Sequence, residues 1–320
     1  MADLAFAVAI LTLGVGVLYY GAEWLVRGSA RLSATLGVSP IIIGLSVVSF
    51  GTSAPELVVS TMAALGGNAN LALGNVMGSN LANIGLVLGL TSVIRPLEVH
   101  ARVVWREAPI MLMVTASLVV LAWDGMLTRG DGVILLVALV GYLVFVFRTA
   151  GDGAPEVLTE HEEFMEASDS ASPLVHPPDV LLILAGSGCL VFGGYCIVEG
   201  AVDMASALGI SQVVIGLTVV AVGTSLPELA TSLVAAVRKE ADIAVGNVVG
   251  SNIFNVAAVL GVTSSLHPIA IPEGLIQREM AAVVALSMLL LPVLRSGWRI
   301  RRWEGAVLLT AYVGAFMFLL

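Results

Sequence analysis

Apolar runs of about twenty residues, the length that crosses a bilayer core, recur along this chain, each closed by a short polar or charged stretch. Ten runs qualify, at 4–26, 38–65, 70–94, 107–123, 132–148, 179–206, 210–237, 242–265, 279–295 and 303–320. Five precede a polar stretch at 149–178 and five follow it. The pattern predicts an all-α membrane protein of ten transmembrane helices, divided into 1–148, a loop at 149–178, and 179–320. An odd number of helices per half makes the second half start from the opposite face, so the halves are expected to be inverted relative to each other, as in many transporters. Met1-Ala2-Asp3 is followed by apolar residues, with no basic stretch before them and no clear small-residue cleavage site, so the first run is expected to be a membrane helix and not a cleaved leader.

Composition agrees. The chain is 58% hydrophobic and 12% charged, with a mean hydropathy of +1.01, whereas soluble domains carry about 25% charged residues. A water-soluble globule is excluded and no nucleic-acid partner is expected; the partner is the lipid bilayer. Basic residues fix the orientation, because cytoplasmic connections are enriched in Lys and Arg. With the N-terminus outside, the inner connections hold Arg27, Arg31, Arg95, Arg102, Arg106, Arg148, Arg238, Lys239, Arg295, Arg299, Arg301 and Arg302, and the outer ones only Arg129 and Arg278. Both termini are therefore expected outside a plasma membrane. The net charge of −9 owes much to Asp152–Asp179, which holds eight acids and no Lys or Arg. That loop reads as a solvated cytoplasmic linker, since it lacks the alternating Asp/Asn and Gly of a calcium loop. Cys189 and Cys196 read as packing residues, and the four histidines show no metal-ligand spacing.

One block occurs twice. Leu36–Ile84 contains GVSPIIIGLSVVSFGTSAPEL and GNVMGSNLANI; Leu208–Val256 contains GISQVVIGLTVVAVGTSLPEL and GNVVGSNIFNV. The offset is 172 both from Glu56 to Glu228 and from Asn75 to Asn247. Each copy sets one glutamate beside a proline inside an apolar run. Ionisable groups there are costly and mark function, and a proline-interrupted membrane segment repeated in both halves points to the binding site of a transporter.

The chemistry follows from the residue types. Pro55 and Pro227 lack an N–H, so the carbonyl four residues back loses its helical partner, and irregular backbone inside a membrane survives only buried or lining a cavity. Thr52, Glu56 and Ser60 are four apart and share a face, as do Thr224, Glu228 and Ser232. The third run adds a ladder of Asn75, Ser79 and Asn83, the eighth one of Asn247, Ser251 and Asn255. Asn80 and Asn252 point elsewhere and could satisfy the broken backbone of the neighbouring helix. Gly37, Gly44 and Gly51, seven apart, read as a packing stripe, as do Gly74/Gly78 and Gly246/Gly250. Glu23, Glu199 and Asp203 read as interfacial, and Glu107 and Glu279 as ordinary first-turn acids. Two carboxylates, hydroxyls, amide oxygens and freed carbonyls, without sulfur, imidazole or a basic partner, form a ligand set for Ca²⁺ or Na⁺ and not for zinc or copper. A charge of −2 is neutralised by one Ca²⁺ or two Na⁺, so competition for a shared acid pair is a direct route to exchange.

The blocks GTSAPE…GNVMGSNLAN and GTSLPE…GNVVGSNIFN resemble the paired α-repeats of the sodium/calcium exchanger family, within the cation/calcium antiporter superfamily. The resemblance implies two inverted five-helix halves around a core of four ion sites. It implies a secondary antiporter, not an enzyme, in which several Na⁺, commonly three, enter as one Ca²⁺ leaves, with no prosthetic group. It implies that Glu56 and Glu228 are the central calcium and sodium ligands, and that Thr52 and Thr224 give backbone carbonyls and hydroxyls. Ser53, Ser79, Ser225 and Ser251 would line sodium sites, Asn83 and Asn255 would sit between the glutamates, and the Ala221 carbonyl would join an outer sodium site. Some members carry an aspartate where Asn255 stands, and an acid there accompanies K⁺ use, so a potassium-independent exchanger of prokaryotic type, functional as a monomer, is expected. The loop at 149–178 has no room for the folded calcium-sensing domains of animal relatives. Proton- or potassium-coupled exchange, a channel, and an intramembrane hydrolase remain as alternatives; the hydrolase lacks a base partner for a hydroxyl nucleophile.

Overall fold

The computed structural model describes residues 2–150, 177–207, 221–271, 274 and 276–319. Its long elements are all helices: α1 (Ala2–Leu36), α2 (Pro40–Thr52), α3 (Ala54–Leu65), α4 (69–94), α5 (Val103–Leu121), α6 (Arg129–Arg148), α7 (Pro177–Ala207), α8 (Ala221–Gly223), α9 (Leu226–Val237), α10 (Ala241–Leu266), α11 (276–295) and α12 (Arg302–Leu319). Among the described residues six are long and apolar enough to span a membrane, namely α1, α4, α5, α6, α7 and α10. The pair α2–α3, bent by 43°, makes a seventh. Most of the acidic loop, and residues 208–220 of the second repeat copy, lie outside the described residues.

Helices in lipid gain nothing from hiding apolar surface, so they associate through close backbone packing at small residues. The chain uses this throughout. A Cβ on Gly14 would stand 2.9 Å from the Gly193 carbonyl oxygen, one on Gly21 2.9 Å from that of Gly186, and one on Gly28 2.9 Å from that of Asp179. As the number rises on α1 it falls on α7, so these helices lie antiparallel along their length. Two further helices pack on partners far away in the sequence. α6 packs on α10, where a Cβ on Gly261 would meet the Gly132 oxygen at 3.3 Å; α12 packs on α4, where a Cβ on Gly305 would meet the Gly89 oxygen at 2.6 Å. α10 is the most buried of these spans and α4 the next, which makes them the central pair.

Short strands join the halves at both ends. β1 (Leu97–Glu98) follows α4 and pairs antiparallel with β4 (Arg299–Ile300), between α11 and α12. β2 (Met126–Leu127), between α5 and α6, pairs antiparallel with β3 (Ile269–Ala270), after α10.

Two readings of single residues change. Gly37, Gly44 and Gly51 are not one stripe. Gly37 takes φ +64 and ends α1, with the Val38 N–H returning to the Ser33 carbonyl at 3.0 Å in a left-handed helix stop that glycine suits. Gly44 packs on Gly246 of α10, and Gly51 faces Ser187 of α7. Glu107 is no ordinary first-turn acid. It is wholly buried inside α5 and bonded at 3.0 Å by Arg102, whose other donors reach the Val146 and Thr149 carbonyls at the end of α6. The guanidinium thus covers the last carbonyls of a helix, where a cation is favoured. Arg278 does the same for α12, donating to the Phe318 and Leu319 carbonyls.

Candidate cation site

Both proline-bearing runs break where the sequence places the break. α2 stops at Thr52; Ser53 takes φ −83, ψ 5, and α3 restarts with Pro55 in its first turn. In the second copy Ser225 takes φ −88, ψ 4, and α9 restarts with Pro227 in its first turn. Proline is tolerated there because its missing N–H would be unsatisfied anyway. Glu56 and Glu228 fall in the first turns of α3 and α9, where the helix dipole favours negative charge, and both are fully buried.

The two breaks lie against each other, and their hydrogen bonds are exchanged between the halves. Thr52 Oγ1 donates to Asn247 Oδ1 at 3.0 Å, and Thr224 Oγ1 donates to Asn75 Oδ1 at 3.2 Å. Thr52 also meets Ser251 at 3.2 Å, and Thr224 meets Ser79 at 3.3 Å. Ser79 donates to Glu56 Oε1 at 3.4 Å, and Ser53 donates across the halves to Glu228 Oε1 at 3.3 Å. Glu56, Ser79 and Thr224 therefore form one buried group, and Glu228 with Ser53, joined through Asn247 to Thr52 and Ser251, forms a second beside it. Ser225, buried, forms the break beside Glu228. Ala221 opens α8; its side chain lies outside the described residues, as does the chain before it.

Asn75 and Asn247 do something the ladder reading did not foresee. Asn75 Nδ2 donates to Ser60 Oγ at 2.9 Å and to the Glu56 carbonyl at 3.4 Å; Asn247 Nδ2 donates to Ser232 Oγ at 3.1 Å and to the Glu228 carbonyl at 3.4 Å. Each amide ties the restarted helix of its own half to the threonine of the other. Asn80 and Asn252 do not serve the broken backbone. Asn80 donates to the Asn252 carbonyl at 3.4 Å and accepts from Asn255 Nδ2 at 3.0 Å, while Asn252 Nδ2 turns back to the Val248 carbonyl. They link α4 to α10 and hold Asn255. Asn83 and Asn255 each open a π-helical turn, Asn83–Leu88 and Asn255–Leu260, a distortion common at functional sites.

Buried polar atoms are normally paired, and several here are not. Glu56 Oε2, Glu228 Oε2, Asn83 Oδ1, Asn255 Oδ1 and Ser225 Oγ are buried without a hydrogen-bond partner. Neither glutamate has an ion pair among the described residues. Two carboxylates with spare oxygens, surrounded by hydroxyl and amide oxygens, suit a hard cation taken as substrate.

The sequence profile of the sodium/calcium exchanger protein family matches residues 6–148 and 179–320. This chain belongs to the sodium/calcium exchanger family. It is 32% identical over 341 aligned residues to the sodium/calcium exchanger MaX1 of Methanosarcina acetivorans, covering 97% of each chain. It superposes on the solved sodium-calcium exchanger NCX_Mj with a TM-score of 0.84 at 33% identity, covering 99% of this chain and 100% of that one. A more distant relative, the Ca²⁺/H⁺ antiporter ChaA of Bacillus subtilis, is 28% identical over 89% of this chain and 85% of its own. The exchanger is thus a membrane transporter and not an enzyme, and its chemistry is cation/calcium antiport.

Within that family role the asparagine ties predict a measurable effect. Asn247→Ala removes a partner of three buried hydroxyls, Thr52, Ser232 and Ser251, and strands Ser232. It should cost about 1–3 kcal/mol of stability for the groups left unpaired and raise the half-saturating Ca²⁺ concentration. Thermal unfolding and flux titration measure both; wild-type values in each would dismiss the positioning role.

Proposed function

We propose that the exchanger moves Na⁺ inward and Ca²⁺ outward by alternating access at one site shared by the two repeat copies. One observation carries the reading: two buried, unpaired carboxylates at facing helix breaks, with their hydrogen bonds traded between the halves. In this reading the carboxylates of Glu56 and Glu228 hold Ca²⁺ or Na⁺. The hydroxyls and main-chain oxygens of Thr52, Thr224, Ser53, Ser225, Ser79 and Ser251, the amide oxygens of Asn83 and Asn255, and the Ala221 carbonyl complete the set. A bare carboxylate at mid-membrane costs on the order of 2.5–3.5 kcal/mol. A site stripped of cations therefore resists crossing, and that resistance couples one ion to the other.

The ten-helix, inverted arrangement belongs to the same proposal. β1 pairs with β4 across six proposed spans and β2 with β3 across four; even numbers bring each pair to the same membrane face. The antiparallel α1 and α7 are what inversion requires of the first helix in each half. The basic residues then put both termini outside a plasma membrane and 149–178 in the cytoplasm, and one chain contains a complete site, so a monomer suffices.

A second reading, proton-coupled calcium exchange, draws on the likeness to ChaA, since protons also neutralise carboxylates. Calcium uptake into vesicles loaded in turn with Na⁺, K⁺ or acid separates the readings. Uptake driven by the Na⁺ gradient alone is expected; uptake that follows the pH gradient and ignores Na⁺ would replace sodium with protons.

A further inference from the structure

The stretch between α11 and α12 carries four arginines in eight residues: Arg295, Arg299, Arg301 and Arg302. All four are exposed, and none forms an ion pair among the described residues. They are not on a loose loop. Arg299 and Ile300 form β4 on β1, and the Trp298 carbonyl accepts from the Val99 N–H at 2.9 Å. Buried Glu304 accepts from the Arg301 N–H at 2.7 Å and from the Ser296 hydroxyl, which fixes the entry to α12. The nearby acid Glu98 stands opposite Arg299 in the strand register without bonding to it.

Three tryptophans surround this cation cluster with their rings largely in the open: Trp105 at 61%, Trp303 at 60% and Trp298 at 45% exposure. Arg295 lies over the Trp105 ring with its guanidinium carbon 4.6 Å from the centroid. Trp298 is held at φ +59, a left-handed conformation that bulky residues avoid. The apolar helices α5, α11 and α12 begin or end here, so the group lies at the level where hydrocarbon meets water, and tryptophan is enriched at that level.

The fold does not demand this chemistry. The matching turn of the first half is built alike: Gly125 and Gly297 both take φ +87, and Asp131 caps α6 as Glu304 caps α12. That turn carries Asp124, Arg129 and Asp131, with one base against two acids. Inside-positive bias alone accounts for charge, but not for its fixation in a strand, its lack of ion pairs among the described residues, or its aromatic surround. Guanidinium forks match phosphate oxygens in pairs, and the tryptophan rings offer an acyl chain and glycerol a wall.

We infer that the turn at 295–303, with Trp105, is a docking surface for the phosphate of an anionic phospholipid in the adjoining leaflet, which is the cytoplasmic one in the orientation proposed above. The inference does not depend on which ions are exchanged.

The test uses the full-length protein extracted with a mixture of phosphatidylglycerol and phosphatidylcholine, with retained lipid counted by native mass spectrometry. Wild type should retain phosphatidylglycerol in preference. R295Q/R299Q/R302Q should lose that retention by about tenfold or more, since basic residues near the surface attract anionic lipid. R299Q/R302Q, which disturbs no internal contact, should show a smaller loss in the same direction and keep the wild-type melting temperature. R27Q/R31Q, removing two arginines that are already paired with Glu23 and Asp179, should retain lipid like wild type. Equal retention of both lipids by wild type, unchanged retention in the triple variant, or an equal loss in R27Q/R31Q overturns the inference. Displacement by millimolar inorganic phosphate would also overturn it, by making the free ion the ligand.

Discussion

Replacing Glu56 or Glu228 with glutamine should abolish sodium-driven calcium flux while making the ion-free protein more resistant to heat. The paired outcome follows from geometry. Each carboxylate is wholly buried, holds one oxygen without a partner and forms no ion pair among the described residues. Glutamine keeps the shape and the Oε1 acceptor used by Ser79 or Ser53, but removes one of the two charges that oppose Ca²⁺. On the scale of 2.5–3.5 kcal/mol for a bare charge in the membrane, flux should fall by about two orders of magnitude. In chelator the same substitution deletes an uncompensated buried anion, so the melting temperature should rise, and added Ca²⁺ should no longer raise it further. Flux in proteoliposomes and melting with and without Ca²⁺ read the two limbs. A variant that retains wild-type flux, or that melts lower in chelator and still responds to Ca²⁺, would remove these glutamates from the site.

Gly186→Val should be the most damaging substitution away from the site. A Cβ at this position would stand 2.6 Å from the Leu25 nitrogen and 2.8 Å from the Gly21 carbonyl oxygen. Both obstacles are backbone, so no side-chain rotation relieves them. Overpacking of this kind costs about 1–3 kcal/mol, and more where the neighbours cannot yield. α1 and α7 would separate along their length, and the loss should appear as a lower melting temperature and poor recovery from membranes. Gly188→Val, where the added carbon meets nothing, is the internal comparison and should behave as wild type. Equal stability of the two variants would contradict the close approach of α1 and α7.

The candidate site is legible in the sequence because its cost is legible. A glutamate and a proline inside an apolar run are hard to explain once and harder twice at a fixed offset, and the structure places both pairs at facing breaks. What escaped had other causes. The offset of 172 also relates Gly14, Gly21 and Gly28 to Gly186, Gly193 and Gly200, but these glycines stand alone among changing neighbours, so the repeat seemed to begin only at Leu36. Their meaning depends on two helices far apart in the chain lying antiparallel. Gly37 was misassigned for the opposite reason: a spacing of seven matched a stripe, yet its φ of +64 serves a helix stop. Glu107 reads as ordinary because its partner Arg102 sits in a connection and the carbonyls that Arg102 also reaches lie over forty residues on from it. Asn75 and Asn80 have the same side chain five positions apart, and only the crossing of α4 with α10 and with the second break decides which holds a helix and which holds Asn255.

The traded strands and distantly partnered helices bear on how the chain comes to be made. Synthesis delivers the first half while every element meant to complete it is still unwritten: α12 for α4, β4 for β1, Asn247 for Thr52. Until α10 arrives, Glu56 has only Asn75 and Ser79 for company, and α6 is held by little more than the arginines at its end. The newborn first half is therefore an unfinished object that must wait in the membrane, and its survival there rests on how quickly the rest of the polypeptide follows.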